Sequence, residues 1–314
     1  MKTSFRPLHS LVAVALLCCV GPAPAAVLIL ESFNYSAGSA NGVATNATGL
    51  AGNWTAGAQG GTSNATANFD ATSVTMAGHF AASGGSLIIT NSGPGFGEGG
   101  AAAAVTSTIT GTSLYSSSLM SFGSFNGSYF NDWSVEQRFN TSASGGYTTS
   151  SGRNEVRAFG SGSSSTGKGA VSADASEVAQ STGTSAANTN YLLVTRYILS
   201  GSDITSAQLF AFDASSYASY LANATTGNAD SILGTYANYS LTDTATRSLN
   251  DFDFLQFTTN GGPIGRYDDF RMGTSILDVV NVGSVPEPSR AMLGLVGMMG
   301  VMMRRRRRCE TQSI

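Results

Sequence analysis

"YLLVTRYIL", Tyr191 to Leu199, is apolar on both faces of a two-residue alternation except near Thr195 and Arg196. It alternates as strands do. "AQLFAFD" from Ala207 to Asp213 and "FDFLQFT" from Phe252 to Thr258 repeat the pattern. In "WSVEQRF", Trp133, Val135, Gln137 and Phe139 point one way, while Ser134, Glu136 and Arg138 point the other. Earlier strands are expected in "VLILESFN" at Val27 and "SLIIT" at Ser86. "IGRYDDFRMG" from Ile264 to Gly273 closes the series, and strict alternation places Asp268 on the inward face of Phe270 and Met272. A carboxylate on that face needs a partner, and Arg196 is the one expected.

Helical periods are short, confined to Ser215 to Asn223 and Ser275 to Val280. The polar, glycine-rich stretches at Ser36 to Asn68, Asn91 to Ala104 and Gly160 to Asn190 read as loops. They are long for connections within one domain and leave room for further edge strands. Many short strands separated by Gly and Asn turns predict an all-β fold, an antiparallel β-sandwich. No shift of composition marks a second domain.

The 314 residues are only 11% charged, against roughly 25% in a typical soluble domain. Aromatic residues make up 9%, enough to build a core. Between Ala26 and Ser284 stand eight basic and seventeen acidic residues, a net charge of −9. Such a surface repels phosphate backbones, so nucleic acid is excluded as a partner.

Residues 1–25 have the three parts of an export signal. Lys2 and Arg6 supply the positive start, Leu11 to Val20 the apolar run, and Ala23-Pro24-Ala25 the small residues for cleavage before Ala26. An N-terminal signal helix and passage through the export machinery are therefore expected. Cys18 and Cys19 belong to that apolar run, and Cys309 lies in the tail. Residues 26–284 hold no cysteine and must fold without a disulfide, on core burial alone.

The last distinct segment, 285–308, is "VPEPSRAMLGLVGMMGVMMRRRRR". Ala291 to Met303 would form a short transmembrane helix of about 20 Å, with arginines able to snorkel at its end. Arg304, Arg305, Arg306, Arg307 and Arg308 would remain cytoplasmic, which puts everything before Pro286 outside. Pro286-Glu287-Pro288 precedes the helix as an extended segment. In order and position these three parts resemble a PEP-CTERM sorting signal of Gram-negative bacteria. The resemblance implies an exosortase-type sorting enzyme as partner, recognising Pro286, Glu287 and Pro288. It also implies Arg304 to Arg308 as the stop-transfer cluster. The implied route is transient residence in the inner membrane, then the cell surface or extracellular matrix.

A second resemblance concerns residues 26–284. "LILESFNYSAGSANG" with "GNWTAG", "YLLVTRYIL" followed by "AQLFAFD", and "GRYDDFRMGTSILDVV" are similar to stretches of concanavalin A-like, or laminin-G-like, jelly rolls. These are packing motifs and imply a fold, not an activity.

Catalytic constellations are sparse. A jelly-roll glucanase would carry acids as Glu-x-Asp-x-x-Glu, and no such spacing occurs. Asp251 and Asp253 flank Phe252 and read as solvated strand-edge acids. His79 is the one histidine beyond the signal and reads as a partly buried loop residue. "GPGFGEGG" at Gly93 lacks the Lys-Ser/Thr of a phosphate loop and reads as a turn. Two features are candidates for binding. Trp54, in a polar loop-like stretch, is the candidate platform for stacking a sugar, whereas Trp133 reads as core. Asp268 and Asp269 are the candidate ligands for calcium, the one cofactor these acids suggest. The expected function is that of a non-catalytic surface or matrix protein, not an enzyme. The alternative is a carbohydrate-binding module acting on extracellular polysaccharide.

Overall fold

The computed structural model describes residues 27–59, 65–80, 84–91, 98–109, 111–123, 134–140, 154–160, 166–174, 177–244, 246–249, 252–260 and 264–283. The export signal, the sorting motif, the arginine cluster, Trp133 and Asp251 lie outside these residues. Among the described residues no helix is long and apolar enough to cross a membrane.

The strands are β1 (Val27–Glu31), β2 (Gly38–Ser39), β3 (Leu50–Gln59), β4 (Ala65–Asp70), β5 (Ser86–Asn91) and β6 (Glu98–Val105). They continue with β7 (Ser113–Phe122), β8 (Ser134–Asn140), β9 (Asn154–Gly160), β10 (Thr166–Asp174), β11 (Glu177–Ala186) and β12 (Tyr191–Ser200). The last are β13 (Asp203–Phe212), β14 (Tyr239–Asp243), β15 (Arg247–Ser248), β16 (Phe254–Asn260) and β17 (Gly265–Gly273). Ten strands form one sheet in the order β14-β13-β12-β7-β17-β5-β4-β2, with β1 added beside β17 and β15 beside β13. Seven form the other in the order β11-β10-β9-β8-β16-β6-β3. Every pairing described is antiparallel. The expected all-β sandwich is what these sequences build.

The two faces of β12 explain its unusual sequence. Tyr191, Leu193, Tyr197 and Leu199 face the other sheet, joining Phe139, Leu255, Phe257 and Phe270 in the main core. Leu192 and Val194 face outward into a second core with Phe212 and Leu119. That core is roofed by the helix Ala214–Asn223 and the single turns Leu233–Tyr236 and Ile276–Val279, through Tyr217, Tyr220, Leu233 and Val279. A strand with both faces covered loses its polar alternation. The two helices expected at Ser215 and Ser275 are present and capped. Asp213 accepts from the amides of Ser215 and Ser216, and Ser275 forms a capping box with Asp278.

The stretches expected as loops hold β2, β3, β6, β10, β11 and part of β4. Sequences such as "EGGAAAAV" (β6) hold no aromatic residue and, in Val105, a single β-branched one, where strands are usually rich in both. Of the stretch expected as a turn at Gly93, Glu98 to Gly100 belong to β6, and residues 93–97 lie outside the described residues.

Candidate functional site

The closing strand β17 changes neighbour half-way along one edge. Gly265 to Tyr267 pair with β5, whereas Phe270 to Gly273 pair with β1. At that junction β17 bulges: Asp268 lies opposite Leu119 of β7 and Arg271 opposite Ser117, so one extra residue is inserted. Asp269 takes up the extra length at φ 43, in the left-handed region that Asp tolerates better than most residues.

The bulge overturns the expected orientation of Asp268. Tyr267, Phe270 and Met272 face the main core, and Asp268 points the other way, beneath the loop after β4. Its Oδ2 accepts from the Val74 amide at 2.8 Å and its Oδ1 from the Asp269 amide at 2.7 Å. Arg196 is not its partner. Arg196 lies opposite Tyr115 on β7, four residues from Leu119, which is about 13 Å along a strand. Its guanidinium instead reaches Asp230 at 2.7 Å and Gln208, beside the Phe210 ring.

Asp269 joins a buried cluster. Arg271 Nε donates to its Oδ1 at 3.0 Å. His79 Nε2 lies 2.9 Å from its Oδ2, off the line of a hydrogen bond. His79 Nδ1 lies 3.3 Å from the Tyr217 hydroxyl, and Phe80 stacks under the Arg271 guanidinium at 3.5 Å. His79 is thus buried, more deeply than expected of a loop residue. The Asp269 carboxylate is committed to these two side chains, and among the described residues no group of three His, Cys, Asp or Glu could hold a metal ion. The two acids expected as calcium ligands instead tie loop and bulge together.

A second buried acid, Glu31, ends β1 opposite Phe270. It accepts from the Phe33 amide at 2.5 Å and from the Tyr35 hydroxyl at 2.7 Å. That hydroxyl in turn accepts from Trp54 Nε1 at 3.2 Å. Burial pushes Glu31 up to about 7, against the pull of Tyr35 and Phe33. Burial also pushes Asp268 up to about 7, with the Asp269 and Val74 amides opposing and the charges of Asp269 and Glu31 adding.

Trp54 is therefore not an exposed platform. It is 1% exposed and packs near Phe33, Phe69 and Phe257 at ring distances of 5.9 to 6.3 Å. The polar stretch around it is strand β3, whose Trp54 and Leu50 side chains turn inward.

One open feature among the described residues lies at one end of the sandwich. There the connection from β6 to β7, the β12–β13 hairpin and the approach to β16 enclose a groove of about 630 Å³. Its walls are fixed by backbone bonds from Val105 to the Asp253 carbonyl and from Leu249 to the Ser202 carbonyl, both 2.8 Å. Thr106, Thr108, Ser202 and Asp253 are exposed along it, and Val105, Ile109 and Leu249 give aliphatic surface. Phe252 lies beneath, its ring stacked on Phe139 at 4.1 Å. Asp253 is exposed, as expected of a strand-edge acid. The hydroxyls around it come from loops and carry no motif by which the sequence could point to them.

No family model matches the chain, and no curated protein matches it in sequence. Among solved structures it is similar to lectin I of Ulex europaeus in complex with the methyl glycoside of α-L-fucose. That match is 12% identical with a TM-score of 0.39, over 79% of this chain and 97% of the lectin. It is also similar to arcelin-5, a lectin-like defence protein of Phaseolus vulgaris, at 10% identity and a TM-score of 0.33, over 68% and 99% of the two chains. A receptor-binding domain matches at 8% identity and a TM-score of 0.35, and there the chain spans only 43% of that structure. Scores this low carry no argument about function, and the sandwich stands on its own strand pairings.

Proposed function

We propose that this is an exported protein of the cell surface or extracellular matrix whose sandwich holds another molecule rather than transforming one. The partner we propose is extracellular polysaccharide. One contrast within the fold supports the reading. Among the described residues, Glu31, Asp268, Asp269 and His79 are buried, and each of these carboxylates is engaged by packing partners. The open groove, by comparison, offers hydroxyls and one carboxylate on rigid walls. A general acid or base must come within hydrogen-bond reach of its substrate, and buried groups that serve packing do not.

Delivery is proposed from the two ends of the sequence. Residues 1–25 direct export. Pro286, Glu287 and Pro288, the apolar run and Arg304 to Arg308 direct sorting by an exosortase-type enzyme. The motif islands within residues 26–284 support a concanavalin A-like form of the sandwich. The test is fractionation of cells that carry such an enzyme. Native protein is expected beyond the inner membrane, shortened at its C-terminus. Replacing Pro286, Glu287 and Pro288 with alanines is expected to leave a slightly heavier, membrane-bound species. Native protein that keeps its tail would overturn the sorting reading. The binding reading is tested by retention of the protein on host exopolysaccharide, and no retention would leave a passive matrix component.

A further inference from the structure

We infer that the groove beside Asp253 is a site for uncharged glycans and discriminates against acidic ones, an inference that rests on the binding reading. A saccharide presents hydroxyls around a ring whose faces are apolar. The groove matches both properties. Thr106, Thr108 and Ser202 give hydroxyl donors and acceptors, the Asp253 carboxylate accepts from sugar hydroxyls, and Ile109 and Leu249 provide aliphatic contact. Charge-assisted hydrogen bonds are the strong ones, so Asp253 is the residue on which affinity should depend most.

The charge pattern selects the class. Asp253 is the only charged side chain among the described residues lining the groove. A uronate or sulfated sugar would bring a second negative charge towards it and would lose hydration without gaining a cation. The net charge of −9 over residues 26–284 acts in the same sense. A volume of about 630 Å³ lies within the range of small-ligand sites. The walls are already joined by main-chain bonds, so little ordering is needed on binding. Because the Phe252 ring is committed to Phe139, recognition proceeds by hydroxyl and aliphatic contacts rather than by an open aromatic platform.

The experiment is affinity electrophoresis of the purified full-length protein through gels containing dextran, mannan or alginate, at low and high salt. Retardation by at least one neutral polymer, independent of salt, and none by alginate is the expected result. Asp253→Asn is expected to weaken neutral-polymer binding about tenfold, and Thr108→Trp, which fills the groove, to abolish it. Both positions are exposed, so the melting curves should match the parent. Retardation by alginate as strong as by a neutral polymer would overturn the selectivity while leaving binding intact. Neutral binding unchanged in both variants would overturn the groove as the site. Neutral-polymer retardation that vanishes at high salt would overturn the glycan assignment, because contacts with an uncharged sugar are not screened by salt. Retardation by no polymer would remove the binding reading itself.

Discussion

Asp269 Oδ2 sits 2.9 Å from Nε2 of His79, so the bulge of the last strand holds a loop from the first third of the chain. The same carboxylate receives Arg271, whose guanidinium lies 3.5 Å from the Phe80 ring. Two demands thus meet at one residue: a left-handed backbone and a buried negative charge.

Asp269→Ala fails both demands. It leaves Arg271 and His79 without their acid, a loss of about 3–5 kcal/mol for a broken buried pair. Asp269→Gly loses the charge but accepts the backbone, and should be more stable than the alanine variant by about 1 kcal/mol. Urea unfolding of the two variants and the parent measures both differences. A loss below about 0.5 kcal/mol in the alanine variant, the range of ordinary surface sites, would mean that the cluster does not hold the loop.

Trp54 and Tyr35 lead to a different measurement. The Tyr35 hydroxyl accepts from Trp54 and donates to Glu31. Tyr35→Phe should cost about 1–3 kcal/mol, because it strands two buried polar groups. Trp54→Ala should cost about 3–5 kcal/mol as a large cavity in the core. Loss of ligand binding in that variant would therefore report unfolding, not a lost contact. In a Trp133→Phe background, Trp54 fluorescence should resist iodide quenching until the protein unfolds. Strong quenching of the folded protein would contradict its burial.

The central strands are legible because their chemistry is: β12, β13, β16 and β17 carry the Leu, Ile, Phe and Tyr that build both cores. The expected inward orientation of Asp268 fails because alternation counts residues, and the single residue added at Asp269 reverses the inference drawn across it. Its expected pairing with Arg196 fails through register, since Arg196 stands opposite Tyr115 and Asp268 opposite Leu119, four residues apart on β7. β6 resembles a loop in sequence because buried alanines do its packing, and hydrophobic pattern is blind to small residues; β3, β10 and β11 are likewise rich in Gly, Ala, Ser and Thr. The groove is not legible, since Thr106, Thr108, Ser202 and Asp253 meet only after the two sheets close.

Gly99 tests that account of the small residues. It lies in β6, and a Cβ placed on it would come within 2.0 Å of the Ala65 Cβ on the opposing sheet. Side chain and backbone would have to move, so Gly99→Ala should destabilise by about 1–3 kcal/mol. Gly227, where an added Cβ would meet nothing within 4 Å, is the control, and Gly227→Ala should be close to neutral. Thermal melts of the two variants decide the matter. Equal stability would mean that the sheets are further apart at this edge than the fold requires.

Glu31 and Asp268 predict an unusual dependence of stability on pH. Each is raised to about 7 in the folded state, chiefly by burial, from ordinary values of 4.5 and 3.8. Between about pH 4 and pH 7 the native protein therefore holds protons that the unfolded chain has released. Stability from these two groups is fully present below their unfolded values and is lost as pH rises through about 7. The upper bound is roughly 3–4 kcal/mol for each group, and the Glu31 charge is the smallest of the causes acting on Asp268. Asp278, also raised by burial, adds in the same direction. Asp70 is lowered, with the Thr72 amide as the largest cause, and acts oppositely, but only at more acid pH. The protein should accordingly melt at a higher temperature at about pH 5 than at about pH 8, the reverse of ordinary acid denaturation. Glu31→Gln and Asp268→Asn cannot ionise, and the double variant should flatten the profile between those limits. The measurement is the melting temperature at constant ionic strength across that range. A parent that grows more stable towards about pH 8, or a double variant with the parent's slope, would show that these two carboxylates are ionised in the folded protein at about pH 5.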